Sequence, residues 1–169
     1  MTTATGRVRA PELRGRVGWI NTDITLSLRE LRELRGRVVV LDFWTFCCIN
    51  CLRVIEELRL LEERFGTRLV VIGVHSPKFP QESDHPAVER AVARHRIAHP
   101  VRDDPELETW QQYGVRAWPT LVVIDPDRYV IAMASGEGTP AMASSSSTSS
   151  HRPAPETSAP SPAQRASIP

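Results

Sequence analysis

Three short runs of aliphatic and β-branched residues punctuate the chain, and the stretches between them carry apolar side chains at helical spacing. Val38-Val39-Val40-Leu41-Asp42-Phe43-Trp44 is apolar at every position but one, the pattern of a strand buried on both faces. Leu69-Val70-Val71-Ile72-Gly73-Val74 and Thr120-Leu121-Val122-Val123-Ile124 repeat it. Asp125-Pro126-Asp127 reads as a turn, after which Tyr129-Val130-Ile131-Ala132 is predicted to return antiparallel. A weaker hairpin is predicted upstream, where Gly18-Trp19-Ile20 and Ile24-Thr25-Leu26 flank Asn21-Thr22-Asp23. After Cys51, Val54, Ile55, Leu58, Leu61 and Phe65 keep one helical face, and Gly66 stops it. Val88, Ala91, Val92 and His95 outline a second helix opening at Pro86. Asp104-Pro105 signals the cap of a third, carrying Leu107 and Trp110 and ending at Gly114. Strands alternating with helices imply an α/β fold, with the first strand, helix and second strand forming a right-handed crossover.

Composition sets the domain limits. Residues 1–16 form a polar extension, 17–138 the patterned domain, and 139–169 a Ser/Pro/Ala-rich tail too poor in large apolar groups to offset its ordering entropy. The tail is therefore predicted to be disordered. Of 169 residues, 41% are hydrophobic and 24% charged, ordinary values for a globular chain. A net charge of +1 asks for neither nucleic acid nor an anionic membrane as partner. Lys78 is the only lysine, and the arginines are scattered rather than patched. The polar, Arg-dotted segment Met1–Gly18 has no secretory character, and no apolar run approaches the roughly 20 residues that span a bilayer. The expected compartment is the cytoplasm, where thiols stay reduced.

All 3 cysteines fall within Cys47-Cys48-Ile49-Asn50-Cys51, where the first buried strand meets the first helix. Such a cluster in a reducing compartment points to redox chemistry or metal. On a helix Cys48 and Cys51 are i and i+3 neighbours, close enough for their sulfurs to bond. Cys51 extends the stripe of Val54, Ile55 and Leu58 and should face inward. Cys48 lies at the helix mouth, where free N–H groups and the positive dipole end favour a thiolate. Cys48 is thus the expected nucleophile and Cys51 the resolving thiol. Asp42, alone among apolar neighbours, is the expected proton acceptor for Cys51, its pKa raised by burial.

These motifs together resemble the thioredoxin-like superfamily: Asp42-Phe43-Trp44, the CxxC at the strand–helix junction, and Ala117-Trp118-Pro119-Thr120 before a buried strand. The likeness is to TlpA-like and alkyl hydroperoxide reductase/thiol-specific antioxidant proteins, and the Cys-Cys-Ile-Asn-Cys string is similar to the thioredoxin domain of NHL-repeat proteins. The resemblance implies a three-layer α/β/α fold with a mixed central sheet. It makes Pro119 the family's cis-proline and Asp42 its buried acid. Trp44 and Trp118 are the candidate substrate contacts, with packing alone an equal alternative for Trp118. The implied activity is thiol–disulfide oxidoreduction without a cofactor. The implied partners are a dithiol electron donor and a protein or small-thiol disulfide; the oligomeric state stays open. Three departures stand out. Ile49-Asn50 replaces the Gly-Pro of thioredoxin, Cys47 stands where thioredoxin has tryptophan, and the Ser/Pro tail begins where the family's closing helix should follow Gly138, so that C-terminal helix is expected to be missing.

Other readings compete. Thr45-Phe46-Cys47-Cys48 supplies half of a peroxiredoxin motif, but Leu41 stands where its proline should be, so a thiol-dependent peroxidase is the alternative enzyme. His95 and His99 with Cys48 and Cys51 could compose a zinc set, although the pairs lie much farther apart than in a zinc finger. A non-catalytic thioredoxin-like module would need no intact CxxC. Cys47 is expected to pack as a small apolar residue, and His75 likewise to pack at the end of its strand. No paired-glycine nucleotide fingerprint accompanies Gly73 or Gly114.

Overall fold

The computed structural model describes residues 7–13, 18–29, 34 and 36–136. The tail 139–169 and the position of any closing helix lie outside the described residues. Strands β1 (Val8–Arg9), β2 (Trp19–Ile20), β3 (Val38–Trp44), β4 (Leu69–His75), β5 (Val101–Asp103), β6 (Thr120–Ile124) and β7 (Tyr129–Ser135) alternate with helices α1 (Ile49–Phe65), α2 (His85–Arg94) and α3 (Glu108–Gln112). The strands form one mixed sheet in the order β1-β7-β6-β3-β4-β5-β2. At its centre β3 runs parallel to β4 and antiparallel to β6.

Strand alternation divides the core into two layers. Val39, Leu41 and Phe43 pack with Ile72, Val74, Val122 and Ile124 against Trp110 of α3 and Tyr113 just beyond it. On the opposite face Val40, Val71, Leu121 and Val123 receive Val54, Leu58 and Leu61 of α1. Farther along that face, Trp44 and Val101 pack with Cys51 and Ile55 of α1 and Val88, Ala91 and Val92 of α2. The apolar stripe read from the sequence is therefore the buried face of α1. Asp84 caps α2 by accepting from the Ala87 N–H at 3.2 Å.

The expected hairpin at residues 18–26 does not form. Gly18 and Asn21 take positive φ values of 87° and 62°, turning the chain so that Trp19–Ile20 pairs with β5. β5 itself, three residues with two charged, carried no pattern to find. The third helix opens later than its cap signal, because Leu107 takes a left-handed conformation (φ 57°) and delays it. Asp104 still caps it, its carboxylate accepting from the N–H groups of Thr109 and Trp110, each at 3.0 Å. Residues ahead of the boundary placed at residue 17 also join the domain. Val8–Arg9 pairs with β7, Leu13 is buried, and the Tyr113 hydroxyl donates to the Pro11 carbonyl at 2.6 Å. Among the described residues no helix is long and apolar enough to cross a membrane.

Leu58 is fully buried at the centre of the α1–sheet contact, whereas Leu60 on the outer face is 64% exposed. Leu58→Ala is expected to cost about 2–5 kcal/mol of unfolding free energy, and Leu60→Ala no more than about 0.5, as read by urea titration.

Candidate active site

Cys48 is the N-cap of α1, in extended conformation, and its sulfur accepts a hydrogen bond from the Cys51 N–H at 3.3 Å. The two cysteines are joined in a disulfide, their Cα atoms 5.2 Å apart. Their exposures differ as the helical register requires. Cys48 is half-buried, while Cys51 is wholly buried against Trp44 and Ile55. The Trp118–Pro119 peptide is cis. Trp118 packs in the same cluster as both cysteines, stacks on Trp110 at 4.2 Å, and donates its indole N–H to the Ser76 carbonyl at 2.9 Å.

Asp42 lies between Val40 and Trp44 on β3, so it projects toward the α1 face that also holds Cys51. It is completely buried, and neither carboxylate oxygen has a hydrogen-bond partner among the described residues. Burial pushes its pKa up to about 8. The expected burial of Asp42 and the upward shift that follows from it agree with this geometry.

Two expectations are corrected. Trp44 does not face substrate: alternation along β3 turns it inward beneath α1 and α2, and it is wholly buried. Cys47 does not pack as an apolar residue but is exposed. Its thiol donates a hydrogen bond to the Glu82 carboxylate, which raises its pKa, with burial and charge repulsion adding to the effect. His75 packs as anticipated, stacked on Phe46 and edge-on to Trp44. The alternative zinc set is not assembled, because the two sulfurs bond to each other and His99 Nδ1 lies 3.2 Å from Glu62. Among the described residues no group of three potential ligands gathers to hold a metal.

Two buried acids beside the site gave no signal in the sequence. Glu82 accepts the backbone N–H groups of Lys78 and Phe79 at 2.6 and 3.2 Å, holding the loop after β4. Burial alone would raise its pKa, but donation from Cys47, Thr45 and those amides lowers it. Asp103 is likewise buried, yet its neighbours His75 and His85 outweigh desolvation and lower its pKa. His85 Nδ1 sits 2.7 Å from Asp103 Oδ2 and His75 Nδ1 3.6 Å from Oδ1.

With this fold and this site, the chain belongs to the thioredoxin-like family, whose model matches residues 36–130. It is 43% identical over 129 residues to Protein SUPPRESSOR OF QUENCHING 1, chloroplastic, of Arabidopsis thaliana, a match covering 76% of this chain and 12% of that protein. It is 43% identical over 130 residues to NHL repeat-containing protein 2 of Gallus gallus, covering 76% and 18%. The chain thus spans less than a fifth of the length of these curated relatives. Thiol-disulfide oxidoreductase ResA of Halalkalibacterium halodurans is 26% identical over 123 residues, covering 71% of this chain and 66% of that protein. A solved thioredoxin-like superfamily protein superposes with a TM-score of 0.74 at 23% identity, covering 83% of this chain and 94% of the other.

The raised Asp42 pKa fixes the sign of a pH effect. Between the ordinary carboxyl value of 3.8 and about 8, the folded protein holds a proton on Asp42 that the unfolded chain releases. Stability contributed by this group is therefore present at low pH and declines as pH rises through that window. Asp42→Asn keeps the shape without the ionisation. Urea unfolding of the oxidised protein should show the variant more stable than the parent at pH 8, the gap closing toward pH 4.

Proposed function

We propose that this chain is a thiol–disulfide oxidoreductase whose Cys48–Cys51 pair shuttles two electrons between a dithiol donor and a disulfide substrate. One observation carries the reading: a disulfide with a half-buried cysteine at a helix N-cap and its partner buried on the sheet face that also holds a fully buried carboxyl group. In the reduced form, the Cys48 thiolate is stabilised by the N–H groups and dipole of α1 and is the accessible sulfur. It attacks the substrate disulfide, releasing one substrate thiolate and leaving the other half bonded to Cys48. Cys51 then passes its proton to Asp42 and attacks Cys48, releasing the second thiolate. A dithiol protein or small thiol restores the reduced pair. The partly exposed Trp118, which packs in the cluster that holds both cysteines and precedes the cis-proline Pro119, would contact the incoming chain. The same family fold and CxxC are found beside an exposed Cys47 held by Glu82. That thiol remains protonated and leaves attack to Cys48.

The roles are separable by trapping. Cys51→Ser should accumulate a mixed disulfide with a model disulfide substrate, whereas Cys48→Ser should accumulate none, as read by intact-protein mass. In the reduced parent, iodoacetamide at neutral pH should label Cys48 well before Cys51. Faster labelling of Cys51 would reverse the assignment. Asp42→Asn should slow release of the second thiolate while sparing the first attack, and equal rates at every pH would remove Asp42 from the mechanism.

A further inference from the structure

Several buried polar atoms gather at one place on the α1 face. Asp42 pairs in register with Gly73 of β4, so both positions front the same helical layer. Gly73 brings no side chain, and two other groups close over it instead. A β-carbon there would lie 3.1 Å from Trp44 Nε1 and 3.5 Å from His99 Nε2. Neither nitrogen has a hydrogen-bond partner among the described residues, and neither does either oxygen of Asp42. Each such orphan carries an uncompensated desolvation cost, so a group of them around one backbone position marks more than packing.

His99 also leads outward. Its side chain is 4% exposed, and Nδ1 lies 3.2 Å from Glu62 Oε2. With Nδ1–H donating to Glu62, the inward Nε2 is left as a proton acceptor. Glu62, about a third exposed, lines a cleft of about 410 Å³ together with Arg59, Arg96 and His99 itself. The backbone holds the imidazole in place. Asn21 Nδ2 donates to the carbonyls of Ile97 and His99 at 2.7 and 3.1 Å, and the Gly73 N–H donates to the Pro100 carbonyl at 2.9 Å.

We propose that His99 and Glu62 form the route by which the proton taken up by Asp42 reaches solvent, with His99 a relay residue acting through Asp42. The proposal rests on the reading of Asp42 as acceptor of the Cys51 proton. When Cys51 attacks Cys48, the bond from Cys48 to substrate breaks, the Cys48–Cys51 bond forms, and the substrate sulfur leaves with the electron pair. The Cys51 proton goes to Asp42 in its ionised form, the minor form below about pH 8, so the step draws on a population that grows as pH rises. Asp42 then passes it across Gly73 to His99 Nε2, with solvent water as carrier, and the Nδ1 proton leaves to Glu62 and the cleft. No electrons move in these later steps. The charged or titratable groups along the path are Cys51 and Glu62 of α1 and His75 on β4 beside Trp44, with Arg59, Glu63 and Arg96 at the cleft.

The test is steady-state disulfide reduction by the full chain between pH 6 and 8. His99→Ala should lower turnover about tenfold or more, in keeping with the loss of a proton-transfer group, while Cys48 alkylation stays at the parent rate. Added imidazole, small enough to enter the cleft, should restore most of the loss. In the Asp42→Asn background His99→Ala should change nothing further. Unchanged turnover in His99→Ala, or a slowed variant that imidazole fails to restore, overturns the relay. If His99→Ala does not fold, Glu62→Gln at its partly exposed site should slow turnover in the same direction, and parent-like turnover there counts equally against the proposal. The two readings fail differently. A slow Asp42→Asn with a parent-like His99→Ala removes the relay alone, whereas a parent-like Asp42→Asn removes the acceptor and the relay with it.

Discussion

A carboxyl group buried in the central strand of a sheet is the constraint around which the rest of this molecule is arranged. Asp42 has apolar neighbours along β3 and partners Gly73 and Leu121 across the sheet, so its charged form has little to solvate it. The folded state accommodates it as the neutral acid over much of the ordinary pH range. That arrangement requires a helix to seal the face, and α1 does so with the stripe that begins at Cys51. The helix that excludes water from the acid also carries the dithiol at its mouth. Sealing and chemistry are properties of one element.

Local environment separates three nearly adjacent cysteines. Cys51 is drawn under the sheet by helical periodicity, and Cys48 sits one turn earlier, where a cap accepts a backbone N–H. Cys47 precedes the helix and turns outward to Glu82. An acceptor carboxylate keeps a thiol protonated, whereas a helix N-terminus stabilises its anion. Identical side chains in consecutive positions thereby acquire opposite tendencies, and the loop that carries Glu82 is part of the site although it lies far away in sequence.

Long, periodic elements were legible in the sequence. β3, β4 and β6 announce themselves as unbroken apolar runs, and the α1 stripe predicts which cysteine is buried. Asp42 was legible because a lone acid in such a run has few places to go. Two-residue strands are too short to carry a period, so β1 and β2 depended on tertiary pairing for their existence. Trp44 departs from what the resemblance implied because alternation along β3 turns it inward. Glu82 and Asp103 were silent for another reason, and His99 drew notice only for its spacing from His95: each matters through a partner from a different element, and no local pattern encodes that meeting.

The aromatic framework has a spectroscopic consequence. Of the chain's 4 tryptophans, Trp44 and Trp118 pack in the same cluster as Cys48 and Cys51, and Trp118 stacks on Trp110. A disulfide is an efficient quencher of an excited indole at such range, and a dithiol is a weaker one. The protein therefore carries its own optical gauge. Its ultraviolet emission should brighten on reduction and dim on oxidation, following electron occupancy of the pair in real time without any attached label.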